Sequence, residues 1–227
     1  MTPNAIDPDA TTEIGQTIAE IGIVPVIAID DEAQAAPLAE TLVSAGLPIA
    51  EITFRTPAAA GVIKAMRAAA PDLLVGAGTV LFPQEVDVAV EAGAQFALAP
   101  GLVPSVVDHA RSRALPFFPG VMTPSDIGSA LSLGITTMKF FPAGPAGGPD
   151  MLKALAAPHA HCHPRFIPTG GIGAADIETW LRVGVVDAIG GSWIARRDAI
   201  REGRWQTIHD NASAAVESAR RVREQQQ

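Results

Sequence analysis

Short apolar runs rich in β-branched and aromatic residues recur along the chain, each followed by a turn signal and then by alanine and leucine at helical spacing. The runs at 23–29 (IVPVIAI), 48–54, 73–77, 94–99, 115–119, 136–142, 165–169 and 185–190 predict eight strands. The stretches between them, such as DDEAQAAPLAETLVSAG and TPSDIGSALSLG, predict helices, several of which close on glycine. Eight β-then-α units within about 200 residues point to a single (β/α)8 TIM barrel rather than an open sheet. An extra N-terminal helix, TEIGQTIAEIG, is expected to cap the bottom of that barrel. Residues 1–12 are expected to form a flexible N-terminus and 13–222 the barrel domain, with the final RVREQQQ fraying. No linker, repeat array or low-complexity block marks a second domain. In such a barrel the chemistry gathers at the C-terminal ends of the strands.

Two strand ends carry ionisable groups where a core has no use for them. In the second strand, alternation puts Ala50, Ile52 and Phe54 toward the helices and Glu51, Thr53 and Arg55 inward. A buried carboxylate and guanidinium are expensive unless paired or functional. The sixth strand places Lys139 inward with Thr137 and Phe141, while Met138 and Phe140 face the helices. The other two of the three lysines, Lys64 and Lys153, fall in helical segments, where a solvated head is ordinary. A lysine amine attacks a ketone only as the free base, a form favoured by apolar surroundings and by a neighbouring cation, here Arg55. Lys139 is therefore the candidate Schiff-base nucleophile. Glu51 is the candidate acid/base that moves protons between carbinolamine, imine and enamine. The competing structural reading is a Lys139–Glu51 salt bridge that merely fills the barrel.

Pro168-Thr169-Gly170-Gly171-Ile172 follows strand seven, and Gly190-Gly191-Ser192-Trp193 follows strand eight. Glycines let the backbone approach an anion, and this pair of loops is where such barrels recurrently hold phosphate. Thr169, Gly170, Gly171, Gly190, Gly191 and Ser192 are accordingly candidate phosphate-binding residues. Strand three ends in Gly76-Ala77-Gly78-Thr79-Val80, whose small residues leave room at the barrel mouth and whose Thr79 hydroxyl is placed to bind a carboxylate or hydroxyl.

Charge and composition narrow the partners. The 227 residues carry a formal net charge of −8 and are 48% hydrophobic, which gives a full core and a field that repels phosphate backbones. Nucleic acid is not an expected partner, whereas a small anion can still be held locally. Cys162 is the only cysteine, so no internal disulfide forms. The tract His159 to His163 around it matches no metal-ligand spacing and is read as a surface loop; no metal and no cofactor are expected. No secretory signal pattern and no apolar run of membrane-spanning length occur, so a cytoplasmic protein is expected.

EITFRT at 51–56, GAGTV at 76–80, PGL at 100–102, KFFPA at 139–143, PTGGI at 168–172 and GGSW at 190–193 together resemble the 2-keto-3-deoxy-6-phosphogluconate (KDPG) and 4-hydroxy-2-oxoglutarate (KHG) aldolase family. The resemblance implies metal-free, reversible cleavage of a phosphorylated 2-keto acid to pyruvate and glyceraldehyde 3-phosphate, in a homotrimer. It implies Lys139 as the Schiff-base lysine and Glu51 as the proton shuttle. Arg55 and Thr79 then hold the pyruvyl carboxylate region, Pro100 and Phe141 shape the pocket, and Thr169, Gly170, Gly171 and Ser192 bind phosphate. Two departures stand out: Ala28 occupies a position near the end of strand one where some members have arginine, and the loop Gly144 to Gly148 lacks an acidic residue often found there. A sugar-phosphate isomerase or epimerase using Glu51 as base, and a non-catalytic phospholigand-binding barrel, are the alternatives.

Overall fold

A computed structural model describes residues 8–225. The strands are β1 (Ile23–Ile27), β2 (Ile49–Thr53), β3 (Leu74–Gly78), β4 (Phe96–Leu98), β5 (Phe117–Phe118), β6 (Gly120–Val121), β7 (Thr137–Phe140), β8 (Arg165–Pro168) and β9 (Ile189–Gly191). All pairings are parallel, in the orders β5-β4-β3-β2-β1-β9 and β6-β7-β8. Residues of β1, β2 and β3 are buried throughout, as a parallel sheet covered on both faces requires.

The two sheet portions close into one barrel of eight staves. β5 and β6 are halves of the fifth stave, interrupted at Pro119, which has no N–H to give to a ladder. Phe117–Phe118 pairs with β4, while Gly120–Val121 pairs with β7, and the Pro119 carbonyl accepts from Lys139 N–H at 2.9 Å. The Phe166–Val186 and Thr169–Gly190 bridges join β8 to the last stave. Arg165 Nε donates to Asp187 at 2.7 Å at the lower end of the same seam.

The helices on the outer face are α2 (Ala35–Ser44), α3 (Ala59–Ala69), α4 (Pro83–Glu91), α5 (Pro104–Ser112), α6 (Pro124–Ser132), α7 (Gly148–Ala156), α8 (Ile177–Leu181), α9 (Arg197–Arg201) and α10 (Trp205–Glu224). Proline opens α4, α5 and α6, where a missing N–H costs nothing and φ is already helical. Gly93 and Gly134 follow α4 and α6 with φ of 86° and 74°, a left-handed turn that a side chain would oppose. At the start of α6, Thr123 Oγ1 accepts from Asp126 N–H, and the Asp126 carboxylate accepts from Met122 and Thr123 N–H. Burial disfavours the ionised Asp126, but these hydrogen bonds outweigh it and hold the carboxyl below its usual range.

The extra helix α1 (Pro8–Ile21) lies below the barrel, with Ile18 buried in the core and Gly15 facing Thr137 and Phe118. It begins at Pro8, so 8–12 are helical where a flexible segment was expected; residues 1–7 lie outside the described residues. At the other end α10 continues through Glu224, with Val222 buried. Among the described residues, no helix is long and apolar enough to cross a membrane and no cluster of ligating side chains is arranged for a metal. The histidine tract forms a short 3-10 turn, Ala157–Cys162, on the surface.

Candidate active site

The centre of the barrel mouth is an ion pair between β7 and β2. Lys139 Nζ donates to Glu51 Oε1 at 2.9 Å, with Lys139 4% and Glu51 0% exposed. Lys64 and Lys153 are exposed, as their helical positions dictate. Alternation is what brings the pair together: both residues point inward from their staves, and the apolar partners on each strand meet the helices. The second carboxylate oxygen, Glu51 Oε2, is buried and accepts no hydrogen bond. A buried carboxylate oxygen without a protein donor costs stability, and a substrate hydroxyl can supply the missing hydrogen bond.

The Phe141 ring stands with its centroid 5.8 Å from Nζ and forms one wall. Gly170 packs against that ring, so that a Cβ there would lie 3.0 Å from the Phe141 edge. Loop seven is fastened beneath by Ala143 N–H to the Thr169 carbonyl and Gly144 N–H to the Gly170 carbonyl, both at 2.8 Å. Thr169 is buried and meets the next stave at Gly190, where a Cβ would lie 3.0 Å from Thr169 Cγ2. The Trp193 ring lies directly over Gly191, whose lack of a side chain it requires. Ser192, by contrast, is exposed at the rim. The glycines of loops seven and eight are thus demanded by close packing as well as by any ligand.

Arg55 lies just past β2, which ends at Thr53, and is exposed at the rim of the mouth. Its Nε donates to Thr53 Oγ1 at 3.2 Å, and that hydroxyl in turn donates to the Ile27 carbonyl of β1 at 2.9 Å. The group paired with Lys139 is the Glu51 carboxylate. Thr53, which sequence reasoning left without a role, is what anchors Arg55 at the rim. Pro100 follows β4, half-buried, and its backbone passes so close to Gly120 that a Cβ on Gly120 would lie 2.6 Å from Gly101 N.

Thr79 follows β3, half-buried, with φ of 60°. A β-branched residue in the left-handed region is strained, and such strain gathers at functional sites. Thr79→Gly is expected to raise folding stability by about 1 kcal/mol, the cost of that conformation, while weakening the binding of pyruvate. Thermal melting and pyruvate titration of the same variant check both halves; lower stability with unchanged binding would refute them. Ala28 is half-buried at the end of β1 and brings no charge to the mouth.

Comparison with known proteins gives the same picture. The family model for KDPG and KHG aldolases matches residues 14–211. A 2-dehydro-3-deoxy-phosphogluconate aldolase of Haemophilus influenzae is 43% identical over 198 residues, covering 87% of this chain and 92% of that protein. The KHG/KDPG aldolase of Escherichia coli is 40% identical over 198 residues, covering 87% and 92%. The crystal structure of KDPG aldolase from Legionella pneumophila, with pyruvate captured at low pH as a covalent carbinolamine intermediate, superposes with a TM-score of 0.84 at 37% identity. That match covers 88% of this chain and 97% of the other. A parallel barrel whose mouth holds one buried lysine against one buried carboxylate, on a sequence this similar, makes the chain a member of the KDPG and KHG aldolase family, carbon–carbon lyases of the Schiff-base class.

Proposed function

We propose that the chain cleaves 2-keto-3-deoxy-6-phosphogluconate to pyruvate and glyceraldehyde 3-phosphate, reversibly, with Lys139 as nucleophile and Glu51 as the single acid/base. The observation that carries this reading is the buried 2.9 Å Lys139–Glu51 pair with its second carboxylate oxygen unpartnered. Glu51 takes the ammonium proton, and the free amine attacks the C2 carbonyl to give a carbinolamine. Glu51 returns the proton to the departing hydroxyl, water leaves and an iminium forms. The carboxylate then takes the C4 hydroxyl proton as the C3–C4 bond breaks. The bonding pair flows into the iminium, and the aldehyde departs from an enamine. Protonation of C3 and hydrolysis of the imine release pyruvate and restore the amine.

The rest of the mouth takes the two ends of the substrate. Arg55, held by Thr53, reaches over the rim to the pyruvyl carboxylate together with Thr79, and Phe141 and Pro100 form the walls. The phosphate sits on Thr169, Gly170, Gly171, Gly190, Gly191 and Ser192. With alanine at position 28, backbone N–H groups and hydroxyls carry that end. Cleavage of 4-hydroxy-2-oxoglutarate to pyruvate and glyoxylate uses the same lysine and leaves the phosphate loops empty; the Escherichia coli relative is named for both substrates.

Comparing the two substrates tests this division. Ser192→Ala is expected to raise KM for the phosphorylated substrate about tenfold, the worth of one hydrogen bond to a charged group, and to leave KM for 4-hydroxy-2-oxoglutarate unchanged. Equal effects on both would remove Ser192 from the phosphate site.

The assembly we propose is a homotrimer acting in the cytoplasm. Leu81, Phe82, Val103 and Met122 are exposed apolar residues that follow neighbouring staves at the mouth, a surface suited to subunit contact. Sedimentation equilibrium is expected to give three times the chain mass of 23.5 kDa; a monomer mass would refute it.

A further inference from the structure

The upper half of β3 puts no side chain into the barrel. Val75 and Ala77 are fully buried and alternate with Gly76 and Gly78, which face inward. Neither glycine adopts the left-handed backbone that would itself require glycine. Space alone keeps side chains out, and the two vacancies are filled by the neighbouring staves. A Cβ on Gly76 would lie 2.6 Å from Phe96 Cδ2, so the β4 ring occupies the lower vacancy. A Cβ on Gly78 would lie 2.6 Å from Glu51 Cγ and 2.8 Å from Cδ, and closer still to Oε1. Oε1 is the oxygen that receives the Lys139 hydrogen bond. Glu51 is wholly buried, so a displaced carboxylate has no solvent to move into. Collision along the Cγ–Cδ stem, and not only at the carboxylate tip, means that a small rotation of the terminal group does not relieve it.

We infer that Gly78 is a positioning residue for the aldol reaction: its missing side chain is the seat that holds the Glu51 carboxylate against the Lys139 amine. The inference rests on the reading of Lys139 as nucleophile and Glu51 as acid/base. In Gly78→Ala the stem of Glu51 shifts on the order of 1 Å, a misplacement that lowers a rate by roughly ten- to a hundredfold. The loss falls on kcat more than on KM, because the atoms nearest to the added Cβ all belong to Glu51. A purely structural defect would instead reduce the amount of active enzyme.

The test is the exchange of the pyruvate C3 hydrogens with D2O, followed by NMR in wild type, Gly78→Ala and Glu51→Gln, with borohydride trapping of pyruvate on Lys139 measured alongside. The expected result is slow exchange in both variants, with the adduct still formed on Lys139 in Gly78→Ala. Wild-type exchange in Gly78→Ala beside slow exchange in Glu51→Gln overturns the inference and leaves the acid/base reading standing. Wild-type exchange in Glu51→Gln overturns that reading itself, and the inference with it. If Gly78→Ala does not fold, the comparison of Glu51→Ala with Glu51→Ala/Gly78→Ala decides: equal folding of the two locates the collision at Glu51, and a double variant that fails to fold where Glu51→Ala folds overturns the inference.

Discussion

Lys139→Arg is expected to lose aldol cleavage by about 10⁴-fold or more, the scale on which removal of a covalent nucleophile acts. Arginine keeps a positive charge facing Glu51 but has no amine that attacks a ketone. The variant is therefore expected to fold with a melting midpoint near wild type. Lys139→Met provides the contrast, because it leaves the Glu51 carboxylate buried with no partner, a change that destabilises by about 3–5 kcal/mol. Steady-state cleavage assays and thermal melts of the two variants separate loss of chemistry from loss of fold. Appreciable turnover in Lys139→Arg would return the site to an isomerase-like proton transfer centred on Glu51.

Glu51→Gln is expected to lower kcat by roughly 10² to 10⁴ with little change in KM, as for other positioned acid/base groups. The amide matches the carboxylate in shape, and its carbonyl oxygen still accepts from Lys139. It neither takes the ammonium proton nor delivers one to the departing hydroxyl. Because Glu51 Oε2 has no protein donor, the substitution breaks no protein hydrogen bond at that oxygen. Single-turnover measurements with the phosphorylated substrate check this, and unchanged turnover would remove Glu51 from the mechanism.

The pair at the centre of the site was legible because strand alternation is strict inside a ladder. Lys139 and Glu51 both lie within hydrogen-bonded strands, and period two placed each of them correctly. Arg55 lies two residues beyond the end of the ladder, and there the Nε hydrogen bond to Thr53 Oγ1, not strand pairing, holds the side chain. All eight staves were visible as apolar runs. The division of the fifth at Pro119 was not, since a proline inside a run signals an edge or a break without saying which halves pair with which neighbours. The N-terminal helix reaches back to Pro8, a residue well suited to a first helical turn.

The glycines teach a different lesson. GAGTV, PTGGI and GGSW are alike in composition, yet the structure gives their glycines separate reasons. Gly170 and Gly171 adopt left-handed backbone in the loop after β8, Gly191 accommodates the Trp193 ring, and Gly78 leaves the space that Glu51 occupies. Small residues at the end of β3 predict room at the mouth. The room is real, but a side chain from the neighbouring stave fills it, and no single-strand pattern carries that information.

The central claim is that Lys139 forms the covalent bond to substrate. Incubation of the protein with pyruvate and sodium borohydride, followed by peptide mass spectrometry, tests it most directly. A reduced pyruvyl adduct on Lys139, absent from Lys64 and Lys153, is the predicted result. Folded protein that yields no adduct, or an adduct confined to another lysine, would contradict it.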